Sequence, residues 1–246
     1  MKRWLNQLIR CVYPPVCAIC RRPCQPANGW PAICRLCLAK MPLLGISEER
    51  RPWPEMADAD RHPDDLIFAC MAYEEPIRSA LIRLKFFDET DIAELVAELL
   101  YRLIRRTRAK GHAVMAVPLH PARLRERGYN QSSLIAAALA RKLELPDRSE
   151  LLVRIRATPQ QSLLTDRRFR QENVRGAFAF HNESPSGAKP LIRPGSTVWL
   201  VDDIMTTGAT LTESARPLWR AGLHVYGLAA ALVSPVTTVS SKGHPT

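Results

Sequence analysis

Residues 197–214, TVWLVDDIMTTGATLTES, constrain the fold most. Val198, Trp199, Leu200 and Val201 form an unbroken run of strand-favouring apolar residues. That is the pattern of a strand buried on both faces of a parallel sheet. Asp202 and Asp203 stand where this strand is expected to end, and Thr206, Thr207, Gly208, Ala209 and Thr210 lead into helical spacing at Leu211, Ala215 and Leu218. Small hydroxylic residues around one glycine let the backbone curl into a nest of N–H groups, and the next helix presents its positive end to the same spot. Together they cradle a phosphate. Adjacent acids repel phosphate but accept hydrogen bonds from paired hydroxyls. The predicted ligand is a sugar phosphate with a vicinal diol, a ribose 5-phosphate. The alternative is a strand–turn–helix whose acid only caps the helix. Two acids and three threonines exceed what a cap needs.

A second unit repeats this layout. Residues 113–117, AVMAV, read as another buried strand, followed by PLHPARLRERGYNQ and a helix over about 131–143. Alternation of strand, loop and helix implies a parallel sheet, with both loops opening at the carboxyl ends of the strands, where such folds bind ligands. The second loop carries His120, Arg123, Arg125 and Arg127. It suits a pyrophosphate beside the sugar.

Cysteine spacing points to a separate module. Of seven cysteines, five lie between 17 and 37, in two C-x2-C pairs, Cys17/Cys20 and Cys34/Cys37, with Cys24 between them. A two-residue gap lets both thiolates of a knuckle converge on one ion, and two knuckles supply the tetrahedral sulfur set that suits Zn²⁺. Four protein ligands leave no open position, so the expected role is structural. Cys24 is a possible substitute ligand. Cys11 and Cys70 read as small buried residues.

The 246-residue chain has room for one large α/β domain and a small appendage. A ribbon module is expected over 1–44, a linker over 45–65, the main domain over 66–236 and a disordered tail over 237–246. Within 1–44, residues 3–12 fit a short amphipathic helix. Helices are also expected from Ile77 to Phe87 and over about 90–108, and strands over 149–155, 176–180 and 223–233. Between the first two of these strands lies RATPQQSLLTDRRFRQENVRGAF, rich in arginine and long for a connection. Arg156, Arg167 and Arg168 make it a candidate lid over an anionic ligand. The net charge of +11 favours an anionic partner. No apolar run reaches the roughly 18 residues of a membrane span, and the start lacks a signal peptide's apolar core, so a cytoplasmic protein is expected.

Taken in order, PPVCAIC, CRLC, LKFF, VPLHPARLRERGYNQ, RATPQQSLLTDRRFRQENVRGAF and LVDDIMTTGATL resemble the ComF family over nearly the whole chain. The last of these resembles the phosphoribosyl pyrophosphate (PRPP) motif of type I phosphoribosyltransferases. The resemblance implies that fold, a mostly parallel sheet flanked by helices, behind a small N-terminal zinc ribbon. It also implies that Asp202 and Asp203 hold the ribose hydroxyls, directly or through Mg²⁺, and that Met205, Thr206, Thr207, Gly208, Ala209 and Thr210 hold the 5-phosphate. His120, Arg123 and Arg127 would contact pyrophosphate, with Mg²⁺ bridging sugar and pyrophosphate oxygens. Competence members of the family handle transforming single-stranded DNA, which adds DNA-uptake proteins as partners. Three functions stay open: a phosphoribosyltransferase, in DNA uptake or nucleotide metabolism; a single-stranded-DNA-binding module with a PRPP-sensing site; and a scaffold without chemistry.

Overall fold

The structure, a computed structural model, describes residues 14–45, 49–54, 61–87, 89–107, 109–157, 174–183 and 190–233. The helix expected at 3–12, most of the arginine-rich connection including Arg167 and Arg168, and the tail lie outside the described residues.

The strands are β1 (Arg50–Pro52), β2 (Leu66–Ala72), β3 (Ala113–Ala116), β4 (Leu152–Arg154), β5 (Phe178–Phe180), β6 (Thr197–Met205) and β7 (His224–Leu232). Five of them form one sheet in the order β1-β2-β7-β6-β3. The β2–β7, β7–β6 and β6–β3 pairs are all parallel, and β1 adds an antiparallel edge. The α/β class with a mostly parallel sheet is therefore borne out. At the other edge, Arg148 N–H donates to Val114 O at 2.8 Å and Val114 N–H to Pro146 O at 3.0 Å, so β3 does not present an open ladder. Strands β4 and β5 form a separate antiparallel pair.

Helices run over Arg35–Ala39 (α1), Ile77–Phe86 (α2), Thr90–Thr107 (α3), Pro121–Arg127 (α4), Gln131–Leu143 (α5) and Ala209–Arg220 (α6). The period-two alternation of β6 divides the core. Trp199 and Val201 point to one face, into a cluster with Leu81, Leu95, Leu100, Ile135 and Leu139 from α2, α3 and α5. Val198 and Leu200 point to the other, with Leu211, Leu218 and Trp219 of α6. Apolar residues on both faces of one strand are what a sheet covered on both sides demands. Gly111 is required by this packing: a Cβ there would lie 2.1 Å from Trp199 Nε1.

The cysteine-rich segment is not a detached appendage. Cys17, Ala18, Ile19, Ile33, Cys37 and Met41 belong to the same buried cluster as α2 and α3. Arg83 of α2 donates to Ile19 O at 3.1 Å, and Arg102 of α3 stacks its guanidinium 4.0 Å from the Trp30 ring centre. The stretch read as a linker also joins the fold where it is described: Arg50–Pro52 is a sheet strand, and Trp53 is buried edge-on against Trp219 at 4.9 Å.

Candidate functional site: an acid pair and a helix end

Both acids lie within β6, not past its end. The strand continues because Ile204 and Met205 still pair with Ala231 and Leu232 of β7. Asp202 is buried and Asp203 half-buried. Asp202 Oδ1 accepts from Ser132 Oγ at 3.1 Å and from Asp203 N–H at 2.9 Å, while Asp203 Oδ1 accepts from Ile204 N–H at 2.9 Å. Burial first, then the neighbouring charge of Asp203, pushes the Asp202 carboxyl up to about 8. The two carboxyls also hydrogen-bond each other, and carboxyl oxygens with two lone pairs keep acceptor capacity for paired hydroxyls.

The turn that follows reaches its tightest point at Gly208, with φ +77, a left-handed conformation that glycine adopts without strain. Gly208 is the N-cap of α6 and, having no side chain, makes no cap hydrogen bond of its own. Thr207 Oγ1 makes a long contact of 3.4 Å with Ala209 N–H. Thr212 and Ser214 bond back into the helix, to Gly208 O at 2.9 Å and Thr210 O at 2.7 Å. Thr206 is exposed, and Thr207 and Thr210 are half-buried. The N–H groups of an α-helix's first turn have no partner within the helix, so this turn offers donors to an anion. Met205 differs from its neighbours. Its side chain is buried in the core, so only its backbone is available to a ligand.

The pyrophosphate candidates sit beside this turn because β3 pairs with β6, with Ala116 opposite Val201 and Val117 N–H donating to Val201 O at 2.9 Å. After β3 the chain enters the short helix α4, which the loop reading did not anticipate. Its signals are in the sequence: Pro121 at the first helical position, His120 as cap and Gly128 at φ +81 as stop. His120 Nδ1 accepts from Ala122 N–H at 3.2 Å, which leaves Nε2 as the ring's outward nitrogen. Arg127 leans toward Phe86, 5.7 Å from its ring centre. Arg156 donates to Arg175 O at 2.6 Å and so ties the two ends of the long connection together.

Arg154, on β4, is a neighbour that the sequence reading passed over. Burial first, then the charges of Arg123 and Arg156, lowers its pKa, while Asp202 opposes them. Arg123, Arg154 and Arg156 thus form a positive corner next to the acid pair. Only the fold brings β4 to the mouth of β6; in sequence Arg154 is one charge in a short apolar run.

The LKFF segment is held against the same loop. Tyr129 Oη donates to Leu84 O at 2.6 Å and Gln131 Nε2 to Lys85 O at 3.3 Å. Phe86 and Phe87 are left 58% and 69% exposed. Two exposed aromatic rings flanked by Lys85 and Arg127 form a surface on which flat ligands can stack.

Four cysteines converge as their spacing predicts. The Sγ atoms of Cys17, Cys20, Cys34 and Cys37 all lie within 4.8 Å of one another. Cys34 N–H donates to Cys17 Sγ and Cys37 N–H to Cys34 Sγ, both at 3.4 Å. Burial alone would raise the Cys17 thiol, but the N–H groups of Cys20, Cys34 and Ile19 outweigh it and bring the pKa to about 7. This set can hold a zinc-class ion with four thiolates. Cys24 is outside the mutual set, and burial followed by the charges of Cys17 and Cys34 raises its thiol. Cys70 is buried in β2, as its composition suggests.

Among the described residues no helix is long and apolar enough to cross a membrane. No family model matches the chain. The chain is 33% identical over 170 residues to competence protein F of Haemophilus influenzae, covering 65% of this chain and 70% of that protein. It is 30% identical to DNA utilization protein YhgH of Escherichia coli K12, over 84% of this chain and 85% of the relative. Competence protein ComFC of Bacillus subtilis is 27% identical, over 92% and 84%. Among solved structures, adenine phosphoribosyltransferase of Leishmania tarentolae superposes with a TM-score of 0.38 at 12% identity, covering 70% of this chain and 93% of that chain. With a third of the 170 aligned residues identical to competence protein F, and the cysteine knuckles and acid-pair turn in place, the chain belongs to the ComF family.

Proposed function

We propose that this protein binds PRPP or a related ribose 5-phosphate at the carboxyl ends of β3 and β6, and that it acts in DNA uptake and utilisation. One observation carries the reading: an acid pair, Asp202 buried and Asp203 half-buried, leads directly into a left-handed glycine turn and the N-terminus of a twelve-residue helix. The N–H groups around Gly208, Ala209 and Thr210 would take the 5-phosphate. Asp202 and Asp203 would accept from the ribose hydroxyls. Arg123 and Arg154, with the outward nitrogen of His120, would neutralise a pyrophosphate on the anomeric carbon. Mg²⁺ would enter with PRPP and neutralise its pyrophosphate charge; Asp202, buried with one oxygen already shared by two donors, fits a hydroxyl acceptor better than a direct ion ligand. Zn²⁺ at Cys17, Cys20, Cys34 and Cys37 would be structural.

The relatives' names place them in competence and DNA utilisation. For this chain, single-stranded DNA as a partner is supported by the net charge of +11 and by the exposed Phe86–Phe87 pair beside Lys85 and Arg127. Such a surface combines stacking with phosphate attraction. Calorimetric titration with PRPP and Mg²⁺ tests the ligand. Saturable binding that falls at least about tenfold in Asp203→Asn is expected; no binding by the unaltered protein contradicts the reading. Release of pyrophosphate with a nucleobase or nucleic-acid acceptor then separates an enzyme from a sensor.

A further inference from the structure

At the opposite end of the sheet, three residues far apart in sequence meet. His62 and Asp65 lie in the turn before β2, and His224 begins β7. One nitrogen of each imidazole and one Asp65 oxygen all lie within 4.8 Å of one another. From Thr197, which pairs with His224, to Asp203 is six residues of strand, or about 20 Å at ~3.3 Å per residue, so this cluster is separate from the acid pair.

The Asp65 carboxylate is 1% exposed and its two oxygens differ. Oδ2 accepts from Trp219 Nε1 and from Val225 N–H, both at 2.9 Å. Oδ1 is buried and has no hydrogen-bond donor among the described residues. An unsatisfied buried carboxylate oxygen is costly unless something outside the protein's own donors meets it. His224 Nδ1 lies 3.6 Å from it. That is too long for a hydrogen bond. It is close to the roughly 3.3 Å between two ligand atoms that each stand ~2.0 Å from one tetrahedral ion. The His62 and His224 rings meet edge-on, with centroids 4.3 Å apart and planes at 68°. Both side chains are partly exposed, at 45% and 34%, so the point between them is open to an ion and to water. Trp219 and Val225 fix the carboxylate's orientation from behind, as an outer shell does for a ligating group. Asp64 N–H donates to His62 Nδ1 at 3.3 Å; the exposed Asp64 carboxylate, 3.9 Å from that nitrogen, adds negative charge nearby, against the Arg61 guanidinium that donates to Asp65 O at 3.3 Å.

We propose that His62, Asp65 and His224 form a second metal site that takes a divalent transition ion of the zinc class, through two imidazole nitrogens and Asp65 Oδ1. The remaining positions face solvent. The donor set, nitrogen and oxygen with no sulfur, differs from the four-cysteine set, and this makes the two sites distinguishable.

The test uses the full chain with its cysteine site loaded with zinc, titrated with Co²⁺ and, separately, with Zn²⁺ at neutral pH. The expected result is one further equivalent, whose cobalt spectrum lacks thiolate charge-transfer bands. His62→Gln, His224→Gln and Asp65→Asn should each weaken that equivalent at least about tenfold without losing the zinc at the cysteines. Asn keeps one oxygen for Trp219 and Val225, and His62 is exposed, so at least these variants are expected to retain the fold, checked by circular dichroism and melting temperature. Saturation at the cysteine site alone overturns the proposal. So does a further equivalent that binds unchanged in folded His62→Gln and Asp65→Asn.

Discussion

Ser132 Oγ donates to Asp202 Oδ1 at 3.1 Å and so ties the first turn of one sheet-covering helix to the acid on the central strand. The two residues belong to different strand–loop–helix units. The bond couples the helix that follows β3 to the central strand and fixes the buried acid's rotamer. The bond favours the Asp202 charge, but burial and the neighbouring Asp203 outweigh it and disfavour that charge.

That environment sets a pH dependence. Burial raises the Asp202 pKa to about 8, above its unfolded value of about 3.9. Its contribution to stability is therefore fully present below about pH 4 and is lost as pH rises through about 8. Asp202→Asn keeps an oxygen for Ser132 and removes the buried charge. The variant should melt like the parent near pH 4 and on the order of 10 °C higher above pH 8, as a gain of a few kcal/mol gives in a chain of this size. It should also lose PRPP affinity. Thermal melts across pH check the first statement, and titration calorimetry checks the second.

Gly111→Ala places a Cβ 2.1 Å from Nε1 and 2.4 Å from Cδ1 of Trp199, a fully buried ring. The indole must move against a packed sheet. A loss of about 1–3 kcal/mol is expected from denaturant unfolding. No change in the midpoint would mean that Trp199 is not packed as described.

Cys17 and Cys37 of the four-cysteine set belong to a buried cluster with α2 and α3. A metal held by the set should therefore stabilise the chain as a whole. Calorimetry after chelation, or of Cys34→Ser, is expected to show one transition moved down by several degrees, not a small early transition followed by an unchanged one.

Phe87→Ala removes an exposed ring next to the positive loop. Affinity for an oligothymidine should fall by about 1–3 kcal/mol, the worth of one stacked base, with an unchanged salt dependence. Arg127→Ala should instead flatten the salt slope by about one. Fluorescence anisotropy at several salt concentrations separates the two.

Much of this was legible in the sequence where the determinants are local. The run Val198–Val201 announces a doubly buried strand, and its alternate residues enter the two clusters. The two C-x2-C pairs converge as their spacing requires. The acid pair was expected at the strand's end and lies within it, because pairing with Ala231 and Leu232 continues past it. Arg50–Pro52 carries no strand pattern; it is exposed throughout and is a strand only because β2 offers it an edge. Strand β2 itself has an apolar run, Ile67–Met71, that marks it in hindsight. Arg154 and the meeting of Asp65 with His224 come from contacts between distant segments, which no local pattern encodes.

The central claim is that the turn after Asp203 grips a phosphate with main-chain donors, and backbone amide chemical shifts test it most directly. Titration with ribose 5-phosphate should move the Gly208, Ala209 and Thr210 amide resonances saturably, and inorganic phosphate should move the same signals more weakly. Resonances there that stay unmoved at saturating ligand, or shifts confined to other segments, would contradict the account.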